Sequence, residues 1–175
     1  PYAPNPDLVY PKINVPGSYG AASGYADWAP GNSANLYSPK KDDNYYGFVW
    51  MSGAKDTSFK FTKGEDWPGN KGDDGSNTGK LKTDGENIPF AVGANNYYIK
   101  VNWAANTYSI AKANFGIIGE ATPKGWDSDT DLVYNPATHK FEVTIALTAN
   151  KAFKFRANDA WDIKILPNKA DQVLT

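Results

Sequence analysis

The 175-residue sequence lacks cysteine and contains a single histidine and a single methionine. Without cysteine there are no disulfides, thiolate metal ligands or thiol nucleophiles, so each folded unit must be stabilised by its own hydrophobic core. No apolar run approaches the roughly 20 residues that span a bilayer, and no secretion signal opens the chain. If the protein is exported, we expect its signal to be absent from this sequence.

An excess of one charge is also lacking, because 18 Lys and Arg residues nearly balance 19 Asp and Glu residues. Such a chain offers no field that would attract a polyanion, and this excludes nucleic acid as an expected partner.

Signals for catalysis are few. The single histidine, His139, lies in a turn sequence, where we expect it to be solvated, and no nucleophile-elbow, zinc-protease or phosphate-loop motif is present. A glycosidase needs only two carboxylates facing a cleft, so this class remains an alternative. A small duplicated unit leaves little room for such a cleft, and we therefore expect no enzyme activity and no cofactor.

The Gly- and Asp-rich residues 69–79 have two interpretations. A calcium loop presents oxygen ligands at fixed alternating spacing, whereas here the carboxylates are adjacent and no Glu closes the loop. We favour a hairpin loop and expect no metal.

Aromatic residues are abundant, with six Trp and eleven Tyr. Short β-branched and aromatic runs alternate with Gly, Pro, Asn and Asp clusters, a pattern typical of all-β sandwiches. The predicted strands cover residues 12–15, 46–51, 58–62, 87–90, 97–102, 107–111, 115–119, 132–134, 141–147, 152–157 and 162–166.

An internal repeat organises the chain. Residues 59–67 and 153–161 share the frame Phe-Lys-Phe followed, after five residues, by Trp. Upstream of each frame a strand leads into a glycine and then a loop carrying Trp28 or Trp126. We therefore predict a linker over residues 1–11 and tandem antiparallel β-sandwich (Ig-like) modules over residues 12–113, the first copy, and 114–175, the second copy.

The second copy is predicted to be incomplete. Three strands follow Trp67, but only fourteen residues follow Trp161. A half-sandwich leaves an unpaired edge and an uncovered apolar face. We expect either a longer native chain or another chain to supply the rest.

The candidate binding residues come from strand alternation in the second frame. Phe153, Phe155 and Ala157 should face the core, which would leave Arg156 and Asn158 outward on one surface near a Trp. Aromatic plates beside planar hydrogen-bonding groups suit sugar rings. The candidates are, in the second copy, Trp126, Lys154, Arg156, Asn158 and Trp161, and in the first copy, Trp28, Lys60 and Trp67. If Arg156 is instead buried in an internal ion pair, the second-copy assignment is wrong and the first-copy residues become the better candidates.

Residues 119–130 and 153–161, together with residues 15–19, 59–62 and 82–88 of the first copy, resemble the SusE/SusF family of outer-membrane starch-binding lipoproteins of Bacteroidetes. The resemblance implies non-catalytic binding of starch or another α-glucan at the cell surface. It also implies a lipid anchor absent from this chain, and a TonB-dependent transporter with a SusD-like lipoprotein as partners. The ending after Trp161 departs from the family pattern. A structural spacer of the uptake complex is the alternative function.

Overall fold

The structure is a computed structural model in which residues 9–165 are described. Most of the predicted linker, and everything after Ile165, lies outside the described residues. The described strands in chain order are β1 (Lys12–Val15), β2 (Ala34–Tyr37), β3 (Asn44–Gly53), β4 (Ser58–Phe59), β5 (Lys71–Asp73), β6 (Leu81–Thr83), β7 (Ile88–Pro89), β8 (Gly93–Asn102), β9 (Thr107–Lys112), β10 (Phe115–Ile118), β11 (Thr130–Asp131), β12 (Val133–Asn135), β13 (Lys140–Glu142), β14 (Lys154–Ala157) and β15 (Lys164–Ile165).

The strands form sheets in which all pairings are antiparallel. A five-stranded sheet has the order β1-β2-β3-β8-β9, and a four-stranded sheet has the order β11-β10-β14-β15. Three two-stranded pairs, β4-β7, β5-β6 and β12-β13, complete the described part. The predicted all-β, antiparallel class is confirmed.

Helical structure in the described residues is limited to two 3₁₀ turns, Ala21–Ser23 and Pro30–Asn32. No helix there has the length and hydropathy to cross a bilayer.

The first copy contains a large hydrophobic core beneath the five-stranded sheet. Ile13, Leu36, Phe59, Phe61 and Ile99 are fully buried in it. The two frame phenylalanines meet edge to face, with ring centroids 5.4 Å apart. Both rings of the first frame therefore point into the core.

The second copy has a much smaller core, built on Ala113, Phe115 and Ala157, with Phe155 half-buried against it. The prediction that Phe153 is a core residue is wrong, because 44% of its surface is exposed. Its counterpart Phe59 is covered by strands of the first copy that have no described counterpart in residues 114–165.

The frames nevertheless occupy the same position in both copies. In the first copy β1 crosses the frame through the bridges Asn14 to Thr62 and Gly17 to Phe59. In the second copy β10 pairs with β14 over its whole length. The fourth frame residue therefore has an equivalent partner in each copy. Thr62 lies opposite Asn14, and Arg156 lies opposite Gly116.

Aromatic rings join the two copies. Tyr134 stacks on Trp50 with centroids 4.8 Å apart, and its hydroxyl donates to the Ser23 carbonyl at 3.0 Å. His139 stacks on Tyr25 at 4.1 Å. His139 is exposed, as expected, but its ring also packs on the first copy, a contact that the sequence does not predict.

Tyr134 is partly buried at this contact between the copies, and this burial changes the pKa of its hydroxyl. It raises the pKa of Tyr134 well above its ordinary value, and the neighbouring Tyr25 adds to the effect. The hydroxyl of Tyr134 therefore stays protonated and able to donate to Ser23 at physiological pH.

Candidate functional site

Each copy brings its loop tryptophan against its frame tryptophan. The ring centroids of Trp28 and Trp67 are 6.3 Å apart with the planes tilted by 35°. Those of Trp126 and Trp161 are 6.5 Å apart and tilted by 42°. Residues far apart in sequence thus form the same tilted indole pair twice.

A glycine in each copy determines where the tryptophan loop begins. A Cβ atom on Gly17 would lie 2.7 Å from the Cβ of Phe59, and one on Gly119 would lie 2.5 Å from the Cα of Phe153. No side chain fits at either position. Only glycine therefore lets the strand pass this close to the first phenylalanine of the frame. The loop then returns to the same glycine, where the N–H of Trp28 donates to the Gly17 carbonyl at 3.1 Å.

The second-copy loop is closed in a related way. The Gly119 N–H donates to the carbonyl of Gly125, the residue before Trp126, at 2.9 Å. The Thr122 hydroxyl donates to the Gly119 carbonyl at 2.9 Å. These bonds fix the position of the loop tryptophan relative to the frame.

Lys154 adds a positive charge to the second indole pair. Its Nζ lies 5.9 Å from the ring centroid of Trp126 and 5.7 Å from that of Trp161. Exposed cation–π contacts of this kind contribute about 0.5–1 kcal/mol. Trp126 and Trp161 are 46% and 42% exposed. We call these three residues the second-copy platform.

Arg156 does not face outward as predicted. Only 9% of the residue is exposed, and its Nε donates to both carboxylate oxygens of Asp129 at 2.9 and 3.0 Å. A Cβ on Gly116 would lie 2.7 Å from the Cβ of Asp129. The absence of a side chain on Gly116, which pairs with Arg156, lets the carboxylate occupy that space and reach the guanidinium.

The guanidinium of Arg156 also contacts the second-copy platform. Its Cζ lies 4.7 Å from the ring centroid of Trp161. Arg156 thus contacts both Asp129 and the indole of Trp161. Sequence reasoning missed Asp129, although an acidic residue three positions after the loop tryptophan was an available signal.

Asn158 also departs from the prediction. It lies beyond the end of β14, in the left-handed region with φ of 57°. Its amide donates to the Lys112 carbonyl at 2.7 Å and accepts from the Asn114 N–H at 3.0 Å. The side chain therefore ties the second copy to the end of β9, and it does not share a strand surface with Arg156.

The first-copy pair is less accessible. Trp28 and Trp67 are both half-buried. Lys60 has no cation–π contact with either indole among the contacts of residues 9–165, and the nearby Lys63 instead lies 5.9 Å from the rings of Tyr45 and Trp103.

The two copies therefore rank differently as sites. Arg156 is buried in an ion pair with Asp129, so the prediction of an outward-facing site on Arg156 and Asn158 is wrong, and by that prediction the first-copy residues become the better candidates. The second-copy platform still offers the more exposed rings and the only ammonium group found over an indole pair in the described part of the chain.

Residues 69–79 form the hairpin expected, because β5 pairs with β6. Within residues 9–165 no group of three or more His, Cys, Asp or Glu side chains could hold a metal ion.

No protein-family model, curated protein or solved structure matches this chain. The resemblance to the SusE/SusF family therefore depends only on the motifs quoted above, and the proposals below depend on the geometry of the site.

Proposed function

We propose that this protein binds polysaccharide, starch or another α-glucan above all, through tandem Ig-like β-sandwich modules, without performing chemistry on it. The observation that carries the proposal is the repeated indole pair, which has nearly the same separation and tilt in both copies.

The geometry of the pair suits a curved glycan. An indole face binds the apolar C–H face of a sugar ring, and two tilted faces support two neighbouring rings of a chain that turns. α-1,4-linked glucans turn in this way, whereas β-1,4-linked glucans are extended. The ammonium group of Lys154 supplies a donor for hydroxyls at the rim.

Arg156 supports binding chiefly through Trp161. Its Nε donates to Asp129 and its Cζ lies 4.7 Å from the ring centroid of Trp161, so its contribution is to hold that ring in place. This is a smaller role than the direct one expected from the sequence.

The cellular setting is part of the proposal. The SusE/SusF resemblance favours a lipid-anchored position on the outer membrane, beside a TonB-dependent transporter and a SusD-like lipoprotein. In that setting the protein would hold α-glucan close to the transporter.

Affinity electrophoresis in gels containing amylopectin tests the proposal. Removing one stacked ring costs about 1–3 kcal/mol, which is roughly a tenfold loss of affinity or more. We expect Trp126→Ala with Trp161→Ala to abolish most of the retardation that the parent protein shows. Tyr37→Ala, which removes an equally exposed ring outside both pairs, is the matched control.

Two results would contradict the proposal. One is a parent protein that amylopectin does not retard, which would favour the spacer function. The other is release of reducing sugar from amylopectin, which would reveal an enzyme.

A further inference from the structure

The outward face of the five-stranded sheet carries a groove that belongs to neither indole pair. Along β3, Tyr45, Val49 and Met51 are buried in the core. By alternation Asn44 and Tyr46 therefore face the opposite side. The first copy thus presents a second aromatic and polar surface.

Strand register arranges this surface in rows across three strands. Tyr46 pairs with Lys100, which pairs with Ser109 on β9. Asn44 pairs with Asn102 in the next row. Adjacent strands lie about 4.8 Å apart, so the members of a row are immediate neighbours.

The surface is concave. It encloses about 490 Å³ and is open to solvent, with the Tyr98 ring forming part of its wall. Pockets for small molecules have volumes of roughly 300–1,000 Å³. One end is marked by Phe48, which stacks on Tyr98 at 4.8 Å and meets Phe115 of the second copy edge to face at 5.0 Å.

The lining chemistry indicates a neutral polyhydroxyl ligand. Phenol rings, amides and hydroxyls line the groove together with Lys100, and none of the lining residues is a carboxylate. The Nζ of Lys100 lies 5.0 Å from the Tyr98 ring centroid. Asn102 donates to Asn44 at 2.9 Å, which holds both amides at fixed positions.

The fold argues against a polypeptide in this groove. An extended peptide binds a sheet by pairing with the free backbone groups of an edge strand. Here the floor is β8, which already pairs with β3 and β9 on its two sides. The floor strand β8 therefore offers a ligand only its side chains, and the free edge of the sheet belongs to β9.

The direction of the strands favours an extended chain. Side chains on one face recur about every 6.8 Å along a strand, in nearly straight lines with only a gentle twist. A helical α-glucan would curve away from such a floor, whereas an extended β-linked chain could follow it.

We propose that this groove, lined by Asn44, Tyr46, Tyr98, Lys100, Asn102 and Ser109, is a binding site for an extended, β-linked oligosaccharide. The site is independent of the indole pairs and therefore of the α-glucan function proposed above.

Two-dimensional amide NMR with cellohexaose, and separately with maltohexaose, tests the proposal on the whole chain. We expect cellohexaose to shift the backbone amides of β3, β8 and β9 that line the groove. The shifts should persist in the protein carrying Trp126→Ala and Trp161→Ala. Because the groove has its own amide signals, the result is distinguishable from success or failure at the indole pairs.

Variants assign the site to side chains. Tyr46→Ala and Lys100→Ala should each weaken cellohexaose binding about tenfold or more. Lys112→Ala, which removes an exposed lysine of β9 outside the groove, should leave the affinity unchanged. The proposal is overturned if cellohexaose shifts no groove amides, if only maltohexaose shifts them, or if Lys100→Ala binds cellohexaose as the parent does.

Discussion

At the scale of the residue, Arg156 shows how far strand alternation can predict a site. Alternation separates Arg156 from its phenylalanine neighbours, but it does not reveal what lies across the sheet. The space over Gly116 admits Asp129, and the arginine becomes part of a buried ion pair. A sequence contains no direct record of such a neighbour.

Removing Arg156 should therefore weaken the fold as well as binding. Breaking a buried pair leaves an uncompensated charge, and losses of about 3–5 kcal/mol are typical. We expect Arg156→Ala to lower the urea midpoint of the second copy strongly, whereas Lys154→Ala, an exposed frame lysine, changes it little. The double variant Arg156→Met with Asp129→Leu should recover much of the loss. Unchanged stability in Arg156→Ala would contradict this role.

The tryptophans were predictable because each either ends a repeated frame or lies in the loop upstream of one. The separation and tilt of each pair were not, because they depend on how Gly17 and Gly119 close the loop.

At the scale of the element, a predicted strand agrees with the structure where a partner strand is present to pair with it. The predicted strand 12–15 agrees with β1, which β2 covers. The predicted strand 141–147 is reduced to β13, which ends at Glu142, because no described strand pairs with residues 143–147. The periodicity of apolar residues indicates a segment that favours an extended backbone. Such a segment forms a strand only where a neighbouring strand pairs with it.

The strand β2 was missed for the opposite reason. Its sequence, Ala-Asn-Leu-Tyr, has no β-branched residue, so its propensity is weak. Pairing with β1 along its whole length stabilises it all the same. The β-propensity of this segment therefore does not predict the strand, because pairing with β1 stabilises it.

The hairpin between β5 and β6 contains a carboxylate that stabilises the first copy. Burial alone would raise the pKa of Asp73, but hydrogen bonds from the Tyr108 hydroxyl and the backbone N–H groups of Asn77, Gly75 and Ser76 hold that pKa below its ordinary value. The Tyr108 bond measures 2.6 Å and joins the hairpin to β9.

This carboxylate predicts an acid-dependent stability. Its pKa is lower in the folded than in the unfolded chain, so its stabilisation is full above the unfolded pKa of about 3.9 and is lost as pH falls through the folded pKa. We expect Asp73→Asn to lose about 1–3 kcal/mol at neutral pH and to show a flatter acid dependence in urea unfolding. Asp56→Asn, in an exposed loop, should behave like the parent. An unaltered pH profile in Asp73→Asn would contradict the assignment.

At the scale of the whole molecule, the two copies make specific contacts that neither frame predicts. The stack of Tyr134 on Trp50 and that of His139 on Tyr25 join residues more than 80 positions apart in the sequence. Gly24 permits this approach, because a Cβ there would lie 1.9 Å from the carbonyl oxygen of Pro136.

Gly24→Ala should therefore disturb the contact between the copies. Its φ of +84° disfavours alanine, as does the φ of +95° at Gly93, but a Cβ on Gly93 would meet no atom within 4 Å. Gly93→Ala thus reproduces the backbone strain of about 1–2 kcal/mol without the clash. We expect amide exchange in β12 and β13 to become at least about tenfold faster in Gly24→Ala than in Gly93→Ala. Equal exchange in the two variants would show that the contact does not hold the copies together.

The repeated indole pair is most directly tested by the indole N–H signals of the six tryptophans during a titration with maltoheptaose. Trp50 stacks on Tyr134, and Trp103 lies beneath the Nζ of Lys71 at 4.4 Å, so both belong to the structural framework. We predict that the signals of Trp126 and Trp161 shift together and most strongly, that those of Trp28 and Trp67 follow at higher concentration, and that Trp50 and Trp103 do not respond. Saturable shifts confined to Trp50 or Trp103, or no shift at any tryptophan, would contradict the account.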